Sequence, residues 1–158
     1  MSISSSLNYS QQGEGDPIIL FHGLGGNGQQ WESLVPEELP YKLFLPDLPG
    51  HGKTNWLPSA PCSFENFAGA VLEWVAQLEA ENGKFDRLIL GGISMGAGIA
   101  VRIAQAIPDR ISKLILVRPA WLDNPFRQIY IYCNLLVSTC SCMIRNLQKH
   151  CSCAIPDF

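Results

Sequence analysis

Ser94 stands between Gly92 and Gly96 in the run Arg87-Leu88-Ile89-Leu90-Gly91-Gly92-Ile93-Ser94-Met95-Gly96-Ala97-Gly98. A serine placed this way, after a short apolar run and before a small-residue helical pattern, is suited to nucleophilic attack on a carbonyl. The spacing G-x-S-x-G is what a sharp strand-to-helix turn requires, because a side chain at either glycine would collide with neighbouring backbone. The hydroxyl of Ser94 then stands clear of the sheet edge, and the N–H of the next residue, Met95, points where an oxyanion would form.

The surrounding chain supplies elements able to hold that serine. Pro17-Ile18-Ile19-Leu20-Phe21 is a continuous apolar run, as expected of a strand covered on both faces, and it leads into His22-Gly23-Leu24-Gly25-Gly26-Asn27-Gly28. A helix is expected from Gln29 through Leu34, closed by Pro36. Tyr41–Leu45 reads as the next strand, with Pro46-Asp47-Leu48-Pro49-Gly50-His51-Gly52 as its turn-rich exit. Ser63 is an N-cap for a long helix with Phe64, Phe67, Ala68, Val71, Leu72, Val75 and Leu78 on one face, stopped at Asn82-Gly83. After the serine turn come a helix from about Gly96 to Ile107, a stop at Pro108 and a strand over Lys113–Val117. Leu7-Asn8-Tyr9-Ser10 is a candidate edge strand. The alternation of strands and helices predicts an α/β fold with a parallel sheet flanked by helices. Ligands in such sheets bind at the carboxyl ends of the strands, where the exits after Phe21, Leu45 and Leu90 would meet.

The chain has 158 residues, 47% hydrophobic and 16% charged, which is enough for one core and excludes a disordered class. A net charge of −3 argues against nucleic acid as a partner. The opening Met1-Ser2-Ile3-Ser4-Ser5-Ser6 has neither a basic nor an apolar signal region, and no apolar run reaches spanning length, so a cytoplasmic protein without a transmembrane segment is expected. Six cysteines in that setting read as thiols. Five of them lie between Cys133 and Cys153, in a segment whose two C-x-C pairs lack the gaps and the histidine of a zinc site, so no metal is expected.

A rival reading attaches to the first glycine loop. Gly23-Leu24-Gly25-Gly26-Asn27-Gly28 also fits the dinucleotide fingerprint G-x-G-x-x-G, with Asp47 near the place of a ribose-binding acid. The Pro46 and Pro49 turn around Asp47 is foreign to that fingerprint, and a dinucleotide site leaves the Ser94 turn unexplained.

Three motifs together resemble the α/β-hydrolase fold family, in particular its small serine esterase and acyl-hydrolase members. They are His22-Gly23-Leu24-Gly25-Gly26, Asp47-Leu48-Pro49-Gly50-His51-Gly52 and Gly92-Ile93-Ser94-Met95-Gly96, and the resemblance runs over about residues 7 to 123. It implies Ser94 as catalytic nucleophile and the backbone N–H groups of Leu24 and Met95 as the oxyanion hole. It implies a small-molecule ester or acyl substrate and no cofactor. His22 and His51 read as loop-bracing residues, and Asp47 as the cap of its turn. A serine at position 94, where some relatives carry aspartate, argues against the haloalkane dehalogenase and epoxide hydrolase branches.

The family draws its acid and its histidine from later strand exits. After Ser94 this chain holds no glutamate, three aspartates (Asp109, Asp123 and Asp157) and one histidine, His150. Asp109 precedes a strand and belongs to the far edge of the sheet. Asp123 and His150 are therefore the weak candidates for acid and base. Residues 1–126 read as a partial α/β-hydrolase domain and 127–158 as a Cys-rich tail, with the family's lid and last strands absent by C-terminal truncation. Two functions stay open: a serine hydrolase acting on an ester or related carbonyl, and a catalytically inactive truncated protein that binds a ligand or partner. An unpaired edge where the missing strands belong predicts self-association.

Overall fold

The computed structural model describes residues 6–32, 34–35, 39–55 and 61–119, with the backbone of 129–133. Its sheet has six strands: β1 (Tyr9–Gln12), β2 (Asp16–Phe21), β3 (Tyr41–Pro46), β4 (Leu88–Ile93), β5 (Ile111–Val117) and β6 (Ile129–Cys133), in the spatial order β1-β3-β2-β4-β5-β6. The central strands β3, β2, β4 and β5 are parallel, as the strand–helix alternation predicts. Both edges are antiparallel. On one side β1 pairs with β3, Tyr9 facing Pro46, an edge strand that begins two residues later than the expected Leu7–Ser10. On the other, β6 pairs with β5 from Lys113–Cys133 to Val117–Ile129. Part of the segment divided off at residue 127 thus runs in the sheet. The β5 edge expected to stand open is covered by β6 along that stretch.

Residues alternate between two apolar layers along each strand, as the period of two demands. Ile19, Phe21, Phe44, Leu88, Leu90, Leu114 and Leu116 face the larger cluster, built with helices α1 (Phe64–Asn82) and α2 (Met95–Ala106). Ile18, Leu20, Leu43, Leu45 and Ile89 face the other layer with Trp31. Helix α1 begins where a hydroxyl can serve an orphan backbone donor: Ser63 Oγ accepts the Asn66 N–H at 3.2 Å. It ends at Gly83, whose φ of +87° closes the last turn. Its buried face holds Phe67, Ala68, Val71, Val75 and Leu78 as the spacing predicts, and adds Ala70 and Trp74. Phe64 and Leu72 are only half-buried at its margin.

The helix expected from Gln29 shortens to a 3-10 turn, Gly28–Trp31. Asn27 caps it through the Gln29 N–H at 3.0 Å, and Gly28 is drawn against β3 so closely that a Cβ there would lie 2.3 Å from the Leu45 carbonyl oxygen. No helix among the described residues is long and apolar enough to cross a membrane. Cys62 is a free, exposed thiol.

Candidate active site

Ser94 sits between the end of β4 and the start of α2 with φ 52° and ψ −113°, a sparsely populated positive-φ conformation that costs an L-residue about 1–3 kcal/mol. The two flanking glycines show why the turn takes this form. A Cβ on Gly92 would meet the Gly96 carbonyl carbon and oxygen at 2.2 Å, and one on Gly96 would meet the Phe21 and His22 carbonyl oxygens at 2.3 and 2.5 Å. The turn is thus wedged between its own first helical turn and the end of β2. The Ser94 N–H donates to the Val117 carbonyl at 3.0 Å, which ties the serine to the exit of β5. Ser94 is half-buried, and its hydroxyl makes no cap bond to the helix that follows.

The first glycine loop lies against this serine. A Cβ placed on Gly23 would stand 3.6 Å from Ser94 Cβ. The loop turns tightly, with the Gly26 N–H on the Gly23 carbonyl at 3.0 Å and Gly25 at φ +74°. Leu24, inside that turn, is 79% exposed. Gln30 braces the loop by accepting the Gly23 N–H on Oε1 at 3.0 Å, a role that no sequence pattern signals. Met95 is the first residue of α2, where an N–H has no partner within the helix.

His22 and Asp47 are structural members of the site. His22 is fully buried, its Nε2 accepts the Leu48 N–H at 3.0 Å, and its Nδ1 lies 2.8 Å from the Gly23 carbonyl. The Leu48 bond assigns the proton to Nδ1, which donates to Gly23. Burial, helped by the nearby His51 ring, holds the pKa of His22 below 6.5, against the opposing pull of the Gly23 carbonyl and Asp47. Asp47 Oδ1 accepts the Gly28 N–H at 2.8 Å, and Oδ2 accepts the Lys53 N–H at 2.9 Å and Asn8 Nδ2 at 2.8 Å. Burial pushes this carboxyl up, yet those three donors and His22 together hold it below 3.8. With both oxygens engaged, Asp47 has no place for a ribose, and the dinucleotide reading of the glycine loop falls. His51 turns its Nδ1 to the Pro49 carbonyl at 3.0 Å, and its ring lies 5.0 Å from the His22 ring at a tilt of 55°.

Both histidines therefore brace loops, as the residues suggested. Asp109 lies in the short turn before β5, at the opposite strand ends from Ser94. Asp123 and His150 lie outside the described residues. Ser94, Met95 and the Leu24 loop are brought together at one sheet edge.

A family profile described as alpha/beta hydrolase fold matches residues 16–130. The chain belongs to the α/β hydrolase fold family. Pimeloyl-[acyl-carrier protein] methyl ester esterase of Vibrio vulnificus is 34% identical over 116 residues, which cover 73% of this chain and 41% of that protein. The protein of the same name from Legionella pneumophila is 32% identical over 111 residues, 70% of this chain and 41% of that one. Among solved structures, a marine microorganism esterase matches with a TM-score of 0.64 at 28% identity, over 92% of this chain and 51% of that one. A thermophilic esterase from Thermogutta terrifontis matches with 0.62 at 31% identity, over 75% and 43%. This α/β hydrolase chain spans about 41% of the length of the curated relatives it matches.

Proposed function

We propose that this α/β hydrolase chain is a serine esterase acting on a small ester or acyl substrate. Ser94 Oγ attacks the carbonyl carbon, and the tetrahedral oxyanion is held by the N–H groups of Leu24 and Met95. The alcohol departs with a proton, and water then cleaves the acyl-serine ester. The observation that carries this reading is the positive-φ Ser94 locked between Gly92 and Gly96. Strain of this kind is retained where it aims a side chain. The names of the relatives favour a methyl or other small ester. Asp123 and His150 are the proposed acid and base.

A second reading is favoured by one observation. Among the described residues no hydrogen bond joins a histidine to the Ser94 hydroxyl, and His22 has both ring nitrogens engaged. A chain without a base would bind its ligand and turn over slowly, since oxyanion donors alone sustain only a residual rate.

The test is a burst-and-turnover assay with a small activated ester, comparing the native chain with Ser94→Ala and His150→Ala. A serine esterase loses activity by a factor on the order of 10⁴ or more in Ser94→Ala. A burst without turnover, unchanged by His150→Ala, supports the second reading. A folded native chain indistinguishable from Ser94→Ala removes the enzyme.

A further inference from the structure

We propose that Arg118 is a specificity-determining residue that binds a carboxylate carried by the ester substrate. The inference rests on the serine hydrolase reading of Ser94 and adds the substrate class.

Arg118 and Ser94 are the two residues other than glycine with positive φ among those described, at 43° and 52°. They are also neighbours. Ile93 pairs with Val117 across β4 and β5, and the Ser94 N–H donates to the Val117 carbonyl, whose carbon is bonded to the Arg118 nitrogen. The guanidinium thus leaves the sheet one strand from the nucleophile. A positive φ strains an arginine where a glycine would be at ease, and such outliers are retained at ligand-binding edges.

Among the described residues at the exits of β2, β3, β4 and β5, the charged side chains are Glu32, Asp47, Lys53 and Arg118, and Glu32 shares a cavity with Asp47 and Lys53. Asp47 is buried and its oxygens are taken by Gly28, Lys53 and Asn8. Glu65, at the first turn of α1, is paired with Arg102 at 3.1 Å. Lys53 and Arg118 are exposed and have no carboxylate partner among the described residues. Arg118 is thus an exposed cation one strand from Ser94. On the Ser94 side of this edge Leu24 is exposed and Met95 half-buried. An apolar rim next to a planar, bidentate donor fits an acyl chain that carries a carboxylate.

The experiment uses the purified full chain and two probes: an alkyl fluorophosphonate, and its analogue of equal length ending in a carboxylate. Each forms a bond from Ser94 Oγ to phosphorus with loss of fluoride, so labelling reads the site without needing deacylation. The native chain should label faster with the carboxylate probe by roughly fivefold, the range of an exposed charge pair. That ratio should shrink at high salt, fall to about one in Arg118→Gln and be reduced but not abolished in Arg118→Lys. An equal ratio in the native chain and Arg118→Gln, or both rates falling together with the ratio intact, overturns the proposal and assigns Arg118 a structural role. Labelling by the neutral probe with no preference leaves the hydrolase reading standing and removes this one. No labelling of a folded chain by either probe removes both.

Discussion

The Asp47 carboxylate accepts the Gly28 N–H at 2.8 Å, across 19 residues of sequence. That one bond joins the loop after β2 to the turn after β3, and the same side chain also holds the Lys53 N–H and Asn8. The glycine loop that approaches Ser94 is thereby fixed from a neighbouring strand exit rather than by its own contacts alone. Gly52 makes room for this arrangement, since a Cβ there would stand 2.3 Å from Asp47 Cγ.

Asp47→Ala should therefore destabilise the chain by about 3 kcal/mol, because it strands two backbone donors that are shielded from water. Asp47→Asn should cost less, as it keeps an acceptor for one of them. Urea denaturation midpoints for the three chains check the order. Equal midpoints for the native chain and Asp47→Ala would refute the brace.

Acid should act through His22 and Asp47 in separate ranges. Folding holds His22 below 6.5, so the unfolded chain binds its proton first, and its contribution is present above pH 6.5 and is lost as pH falls through the folded value. Asp47 is likewise held below 3.8, so its contribution persists to lower pH and disappears only as pH falls beneath 3.8. Denaturation midpoints measured downward from neutral pH should decline, and His22→Gln should flatten the first part of that decline. An unchanged slope in His22→Gln would assign it to other groups.

Gly96→Ala should be strongly damaging. Its methyl group would lie 2.3 Å from the Phe21 carbonyl oxygen, and backbone on both sides leaves no room to give way. A loss of roughly 3 kcal/mol is expected, at the upper end of overpacking costs, together with loss of Ser94 labelling. Gly25→Ala meets nothing within 4 Å and carries only the conformational cost of φ +74°, about 1 kcal/mol. Thermal melts of the two variants separate contact from conformation.

Ser63→Ala should weaken α1 by about 1 kcal/mol through loss of the Asn66 N–H bond. The labelling rate at Ser94 should be unaffected, since the bond lost is local to the first turn of α1. A matching fall in labelling and stability would show that the helix start also shapes the site.

Local rules made much of this molecule legible. The apolar runs of β2, β3, β4 and β5, the Ser63 cap, the Gly83 stop and the Gly92-Ser94-Gly96 turn each follow from a few adjacent residues, because strand burial, capping and steric exclusion are short-range. The roles of His22, Asp47 and His51 as braces were also expected from their turn-forming surroundings. What the sequence did not disclose depends on residues far apart in the chain. Gln30 on Gly23, Asn8 and Gly28 on Asp47, and Val117 on Ser94 are hydrogen bonds whose partners meet only once the sheet order is set. The same holds for the short 3-10 turn at Gly28, where close approach to β3 overrides a helical pattern, and for β6, whose place comes from pairing with β5. The positive-φ Arg118 beside the nucleophile belongs here too. The sequence by itself determined which residues could do chemistry and on which kind of element. Only the tertiary structure decided which of them share an edge, because backbone pairing between distant strands has no signature in neighbouring residues.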